Sequence, residues 1–177
     1  MIYQPEEDSY LLAKIVKEKA KGKRVLDVGS GSGVQALAAL DGGAEEVLCA
    51  EIDNESFKFL KKQKLNVVKS NLFSKVVGEF DLIIFNPPYL PKDEREDSES
   101  ARITSGGKRG DEITIKFLRD VEKFLSEEGK ILLLISSLTP DERIEKILST
   151  KKFEKKVVAR EKIFMEQLEV WELSRKA

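Results

Sequence analysis

The chain has 177 residues, 36% charged and 41% hydrophobic, which is enough for one buried core, too short for two, and too apolar for a disordered chain. Its net charge of −1 supplies no electrostatic attraction for a nucleic-acid polyanion. One cysteine and no histidine exclude a disulfide framework, an ordinary zinc site and a histidine general base.

In chain order, residues 1–23 read as an extended lead-in and a first helix. Pro5 disfavours helix at Gln4, Asp8 or Ser9 caps the helix, and Leu11, Leu12, Ile15 and Val16 mark its apolar face. Val25 to Val28 is a buried strand running into Gly29-Ser30-Gly31-Ser32-Gly33, after which Val34, Leu37, Ala38 and Leu40 follow at helical spacing up to Asp41-Gly42-Gly43. Val47 to Ala50 is a second strand with Glu51 and Asp53 just past its end, and Asn54 caps a helix carrying Phe57 and Leu60. Cys49 lies in this apolar run and reads as core, as does Trp171. Leu65 to Val68 is a third, short strand at an edge.

Phe80 to Phe85 is a fourth strand, broken abruptly by Asn86-Pro87-Pro88-Tyr89. Residues 90–110 form one long loop on the substrate side, charge-dense from Lys92 to Glu99 and glycine-rich from Ser105 to Gly110. An amphipathic helix (Ile113, Phe117, Leu118, Val121, Phe124, Leu125) leads to a fifth strand, Ile131 to Ile135, and to a helix opened by Thr139-Pro140-Asp141. Two last strands, about 154–160 and 166–173, have no helix between them and pair as an antiparallel hairpin. The alternation predicts a single domain over 1–177, an α/β fold with a seven-stranded, mostly parallel sheet, an antiparallel C-terminal strand and helices on both faces. No apolar run reaches the ~20 residues of a membrane span, and no signal segment opens the chain, so the expected location is the cytoplasm.

Two stretches carry chemistry. The glycine turn exposes backbone N–H groups at the start of a helix, where polar or anionic ligand groups settle. Its spacing is G-x-G-x-G, with Val34 where a dinucleotide fingerprint would require glycine. In Asn86-Pro87-Pro88-Tyr89 the prolines stop the strand and leave carbonyls unpaired. The Asn86 side-chain oxygen and the Pro87 carbonyl then make a fork that accepts both hydrogens of one –NH₂ group, with Tyr89 against the planar group that carries it.

The glycine turn resembles motif I of the class I S-adenosylmethionine-dependent methyltransferases. Asn86-Pro87-Pro88-Tyr89 after Phe-Asp-Leu-Ile-Ile-Phe resembles motif IV of those acting on exocyclic or amide nitrogens: the adenine-N6 and cytosine-N4 nucleic-acid enzymes and the HemK-type glutamine methyltransferases of release factors. Tyr3-Gln4-Pro5-Glu6-Glu7-Asp8-Ser9, Gly106-Gly107-Lys108-Arg109-Gly110-Asp111-Glu112 and Glu166-Gln167-Leu168-Glu169-Val170 are similar to segments of the archaeal and eukaryotic release-factor branch. So is the start of the chain at the opening motif, where bacterial relatives carry a helical domain first. The resemblance implies S-adenosyl-L-methionine as cofactor, with contacts from Tyr3, Pro5, Asp8, Ser9, Asp27, Gly29, Gly31, Gly33, Glu51, Asn71 and Asn86. Glu51 is assigned the ribose hydroxyls, with Asp53 as the competitor; Asn71 the adenine amine; Asp27 the methionine end or a brace for the glycine loop. Glu7, Asp8 and Ser9 either close over that end or cap their helix. Asn86, Pro87 and Tyr89 are the catalytic set, and with Pro88 they bind the substrate.

The implied activity is N-methylation of a glutamine side-chain amide in a peptide-chain release factor, which needs no general base before transfer. An adenine-N6 methyltransferase of RNA or DNA would use the same fork, but Asp93, Glu94, Asp97 and Glu99 would repel phosphates. A nucleotide-binding module without catalysis would not need the Asn86 turn. The resemblance also implies a small zinc-binding activator subunit that pairs with the third strand; the flanking Lys61, Lys62, Lys64 and Lys69 are the feature that would instead protect a lone edge.

Overall fold

The computed structural model describes residues 2, 4–91 and 105–177. Its elements are α1 (Glu7–Lys19), β1 (Arg24–Val28), α2 (Val34–Asp41), β2 (Glu46–Glu51), α3 (Asn54–Lys62), β3 (Val67–Lys69), β4 (Phe80–Phe85), β5 (Leu90–Pro91), β6 (Ser105–Gly107), α4 (Glu112–Asp120), β7 (Leu125–Ser136), α5 (Glu142–Thr150), β8 (Phe153–Ile163) and β9 (Glu166–Arg175). Seven strands form one sheet in the order β3-β2-β1-β4-β7-β9-β8. The first five run parallel, and β9 is antiparallel to both β7 and β8. This is the expected α/β architecture with its antiparallel hairpin.

Alternate residues of a strand point to opposite faces, so each apolar strand feeds two cores. On one face Val25, Cys49, Leu82, Ile84, Leu132 and Leu134 meet Leu12, Ile15 and Val16 of α1, Ala36 and Ala39 of α2, and Leu60 of α3. On the other, Leu26, Val28, Ile83, Phe85, Leu133 and Trp171 meet Ile115, Phe117 and Leu118 of α4 and Ile144 and Leu148 of α5. Phe85 at the end of β4 stacks on Phe117 with ring centroids 4.4 Å apart, which holds the exit of that strand from behind. Cys49 and Trp171 are both buried, as expected of core residues.

Several boundaries differ from the sequence reading for identifiable reasons. Asp53, in an extended conformation, is the N-cap of α3, its Oδ2 accepting from Ser56 N at 2.8 Å; Asn54 is the first helical residue. The N-cap of α1 is Glu6, so Asp8 and Ser9 lie buried inside the first turn and do not cap it. Pro140 precedes Asp141, the N-cap of α5. In α2 the buried side is Gln35, Ala36 and Ala39, while Leu37 and Leu40 are each 46% exposed; α1 packs against this helix, and small side chains permit the approach. β3 begins at Val67, and Leu65 packs against the core beside it. β7 reaches back to Leu125, opposite Phe80, because α4 closes at Asp120 and a 3₁₀ turn over Val121–Phe124 reverses the chain.

The long segment expected to be loop contributes a parallel β5–β6 pair, Leu90 opposite Ser105. Residues 92–104, including the charge-dense part, and Tyr3 lie outside the described residues. After β6, the Glu112 carboxylate accepts from the backbone N–H groups of Arg109 (2.9 Å) and Gly110 (3.1 Å). Arg143 of α5 donates through Nε to Asp111 Oδ2 at 2.8 Å and through Nη2 to Oδ1. Asp111 is fully buried, and that guanidinium holds its carboxyl below the usual range. Together these contacts fix the start of α4 and the glycine-rich segment before it. No helix among the described residues is long and apolar enough to cross a membrane.

Candidate active site

The order of strands reverses around β1, which pairs with β2 on one side and β4 on the other. In an open parallel sheet, the crevice beyond the carboxyl ends of such a pair is where ligands bind. Here Val28 lies opposite Ala50 and opposite Phe85. The glycine turn after β1, Glu51 at the end of β2 and Asn86 after β4 therefore leave the sheet side by side, at the strand spacing of about 4.8 Å.

The glycine turn is tight. Gly29 N donates to Ala50 O at 2.8 Å, Ser30 Oγ to Asp27 O at 2.8 Å, and Gly33 N to Ser30 O at 2.7 Å. Gly33 has φ +82°, and a Cβ there would meet Leu60 Cδ2 at 2.8 Å; only glycine fits both conditions. Gly31, with φ +52°, turns its N–H onto Glu51 Oε2 at 2.7 Å. The other oxygen of Glu51 accepts from Asp53 N at 2.8 Å. Glu51 is thus buried (5% exposed) and aimed at the glycine turn, whereas Asp53 spends its carboxylate on the α3 cap. Each Glu51 oxygen retains acceptor capacity beyond the one N–H it receives.

Asp27 is buried, and its Oδ2 has no hydrogen-bond partner among the described residues. Burial, reinforced by the nearby Glu51 charge and opposed by Ser30, pushes its pKa up to about 7. Across the β1–β2 pair stands Cys49, whose thiol is pushed up to about 12 by burial and by Asp27, which leaves it unreactive. The Asp27 backbone carbonyl braces the loop through Ser30 Oγ.

Asn86 is half-buried, Pro87 buried, and Tyr89 half-buried against the core on the α1–α2 side. The Asn86 amide nitrogen donates to Asp8 Oδ2 at 3.3 Å. Asp8 Oδ1 accepts from Ser9 N at 2.7 Å and Ser9 Oγ at 3.3 Å. Ser9 O in turn accepts from Gln35 Nε2 at 2.9 Å. The first turn of α1 therefore lies between the two turns, touching Asn86 on one side and the start of α2 on the other. Behind the prolines, a Cβ on Gly106 would come within 2.6 Å of the Pro88 carbonyl oxygen, so that glycine permits the β6 segment to back the turn. Asn71 is exposed just beyond β3 at the same edge, its N–H on Ser74 Oγ at 3.0 Å. Pro5 is half-buried in the lead-in.

The structure thus brings Asp8, Ser9, Asp27, Gly29, Gly31, Gly33, Glu51 and Asn86-Pro87-Pro88-Tyr89 to one edge of the sheet. Sequence reasoning missed Gln35. Its signal was a lone polar residue in the first turn of the otherwise apolar Val34-Gln35-Ala36-Leu37-Ala38-Ala39-Leu40 run. It also gave Gly106 no role, although the doubled glycine marks a close approach.

The chain is 37% identical to a Methanocaldococcus jannaschii protein named "putative protein N5-glutamine methyltransferase", over 96% of this chain and 89% of that one. It is 30% identical to the Homo sapiens methyltransferase HEMK2, over 85% of this chain and 78% of that one. Among solved structures it resembles the E. cuniculi Mtq2–Trm112 complex, described as responsible for methylating the translation termination factor eRF1. The TM-score is 0.79 at 24% identity, over 99% of both chains, a likeness of fold. The family model of the methyltransferase small domain matches residues 4–165, and the chain belongs to that family.

Proposed function

We propose that this methyltransferase uses S-adenosylmethionine to methylate the side-chain amide nitrogen of a glutamine in a peptide-chain release factor. The observation that carries the proposal is the register that sets the Asn86 turn beside the glycine turn. The activity in the name of the M. jannaschii relative and the eRF1 methylation ascribed to the E. cuniculi complex support the choice of substrate.

The residues present fit the cofactor. The partnerless, buried Asp27 Oδ2 matches a cationic ammonium such as the one on a methionine moiety. The Glu51 oxygens, already oriented by Gly31 N and Asp53 N, suit a pair of ribose hydroxyls. Asn71 offers an amide oxygen to an adenine amine, and Ser9 and Pro5 close the edge. S-Adenosylmethionine would supply an electrophilic methyl group on a cationic sulfur that can leave as a neutral thioether, and the alkylated amide nitrogen would then release one of its two protons to water. An amide nitrogen is a poor nucleophile because its lone pair is delocalised. Asn86 Oδ1 and the Pro87 carbonyl, accepting its two N–H bonds, return electron density to nitrogen and aim the lone pair, a contribution of orientation and electrostatics rather than of proton removal. Tyr89 lies against the plane of the amide.

The proposal includes a small zinc-binding activator subunit on β3. That strand is one of the two outer edges of the sheet, three residues long, with Val67 and Val68 half-buried, and an unpaired edge of this kind accepts an added strand.

Three substitutions have defined expected outcomes. Glu51→Ala should weaken cofactor binding by about 1.5–3 kcal/mol, the worth of hydrogen bonds to a charged group; titration calorimetry with unchanged affinity would remove Glu51 from the ribose site. Asn86→Ala should abolish turnover while cofactor affinity stays close to parental, and methylation at the parental rate would refute the fork. Asp27 has a folded pKa raised to about 7 above the ordinary carboxyl value of about 3.9. Its protonated form therefore favours folding below the unfolded value, and that advantage is lost as pH rises through the folded value. Asp27→Asn should make the cofactor-free protein more heat-resistant than the parent above pH 7, with the difference vanishing toward pH 4. The same variant should bind cofactor less tightly.

A further inference from the structure

An asparagine amide has two nearly isosteric ends, and turning it over exchanges an acceptor for a pair of donors. The proposed work of Asn86 requires its oxygen toward the substrate nitrogen; turned over, its N–H groups would confront those of the substrate. Something must fix the orientation before substrate arrives. We propose that Asp8 is the positioning residue that does so, an inference that rests on the proposed role of Asn86.

The geometry is specific. A carboxylate accepts hydrogen bonds and donates none, so the end of Asn86 facing Asp8 Oδ2 at 3.3 Å is its nitrogen, and Oδ1 is turned away. Asp8 is itself held: it is 6% exposed, with Oδ1 fixed by Ser9 N at 2.7 Å and Ser9 Oγ at 3.3 Å. The peptide carrying it is anchored through Ser9 O, which receives Gln35 Nε2 at 2.9 Å from the buried first turn of α2. Asn86 and Asp8 are 78 positions apart in the chain, so the contact is tertiary and joins the lead-in helix to the exit of β4. Turning the amide over would set Oδ1 against a carboxylate oxygen and forfeit the charge-assisted bond. The bond also polarises the amide: a carboxylate drawing on the N–H raises the electron density on Oδ1, the atom that receives the substrate. Asp8 in this reading touches Asn86 and acts through it, which separates it from the cofactor contact implied for it by family resemblance.

The test uses the full chain carrying Asp8→Asn, close in shape to the parent, with Asp8→Ala as a second variant. In the substrate-free protein, the side-chain amide ¹⁵N–¹H signals of Asn86, assigned by their loss in Asn86→Ala, should shift in both variants and exchange faster with solvent. With saturating release factor and cofactor, kcat should fall about 10- to 100-fold, the cost of a misplaced contact at the reacting group. KM for the release factor, Kd for S-adenosylmethionine and the melting temperature of Asp8→Asn should stay near parental. Unmoved Asn86 signals would overturn the inference, and so would a rate loss that appears only through weaker cofactor binding or a lower melting temperature. The amide signals require no substrate. A parent that methylates no release factor would therefore defeat the functional reading, while the spectrum still decides whether Asp8 orients Asn86.

Discussion

The pairing of Val28 with Ala50 on one side and Phe85 on the other is the constraint on which the rest of this site depends. A slip of one residue in either ladder would carry every side chain of the strand to the opposite face. It would also part the three exits that now lie together: the glycine turn, Glu51 and Asn86. The register is enforced from both cores. Leu26, Val28, Ile83 and Phe85 belong to the α4–α5 face, and Val25, Leu82 and Ile84 to the α1–α2 face. The stack of Phe85 on Phe117, and of Phe117 on Phe73 at 5.3 Å, secures the last turn of the ladder where the site begins.

Around that register the site gathers negative charge. Asp8, Asp27 and Glu51 are all buried at the same edge. Glu51 is stabilised by two backbone N–H groups, and Asp8 by Ser9 and Asn86, whereas Asp27 retains an unpartnered oxygen and a raised pKa. Burying an incompletely paired carboxylate opposes folding, so Asp27 is a cost that a bound cation relieves. In the proposed function that cation is the ammonium of the cofactor. Binding and stability are then linked: a ligand that selects the folded state raises its stability by mass action.

Much of this was legible in the chain itself. Continuous apolar runs gave the strands, the three alternate glycines and the Asn-Pro-Pro-Tyr break gave two of the site's turns, and the missing helix between the last two strands gave the antiparallel hairpin. What the sequence hid was tertiary. Asp8 reads locally as a helix cap, and only the packing of α1 against the sheet shows it facing Asn86, far along the chain. Asp53 reads as the competitor of Glu51 for the ribose, and only the fold shows its carboxylate capping α3. Leu37 and Leu40 have helical spacing, yet the close approach of α1 hands the buried side of α2 to alanines. The β5–β6 pair was invisible because two- and three-residue strands containing proline and glycine carry no periodic signal.

The most direct measurement is transfer of a radiolabelled methyl group from S-adenosylmethionine to purified release factor, tRNA and a DNA duplex assayed side by side, with the labelled residue located by mass spectrometry. The account predicts label on the release factor alone, on one glutamine side chain. Label on adenine of either nucleic acid, with none on the release factor, would contradict it.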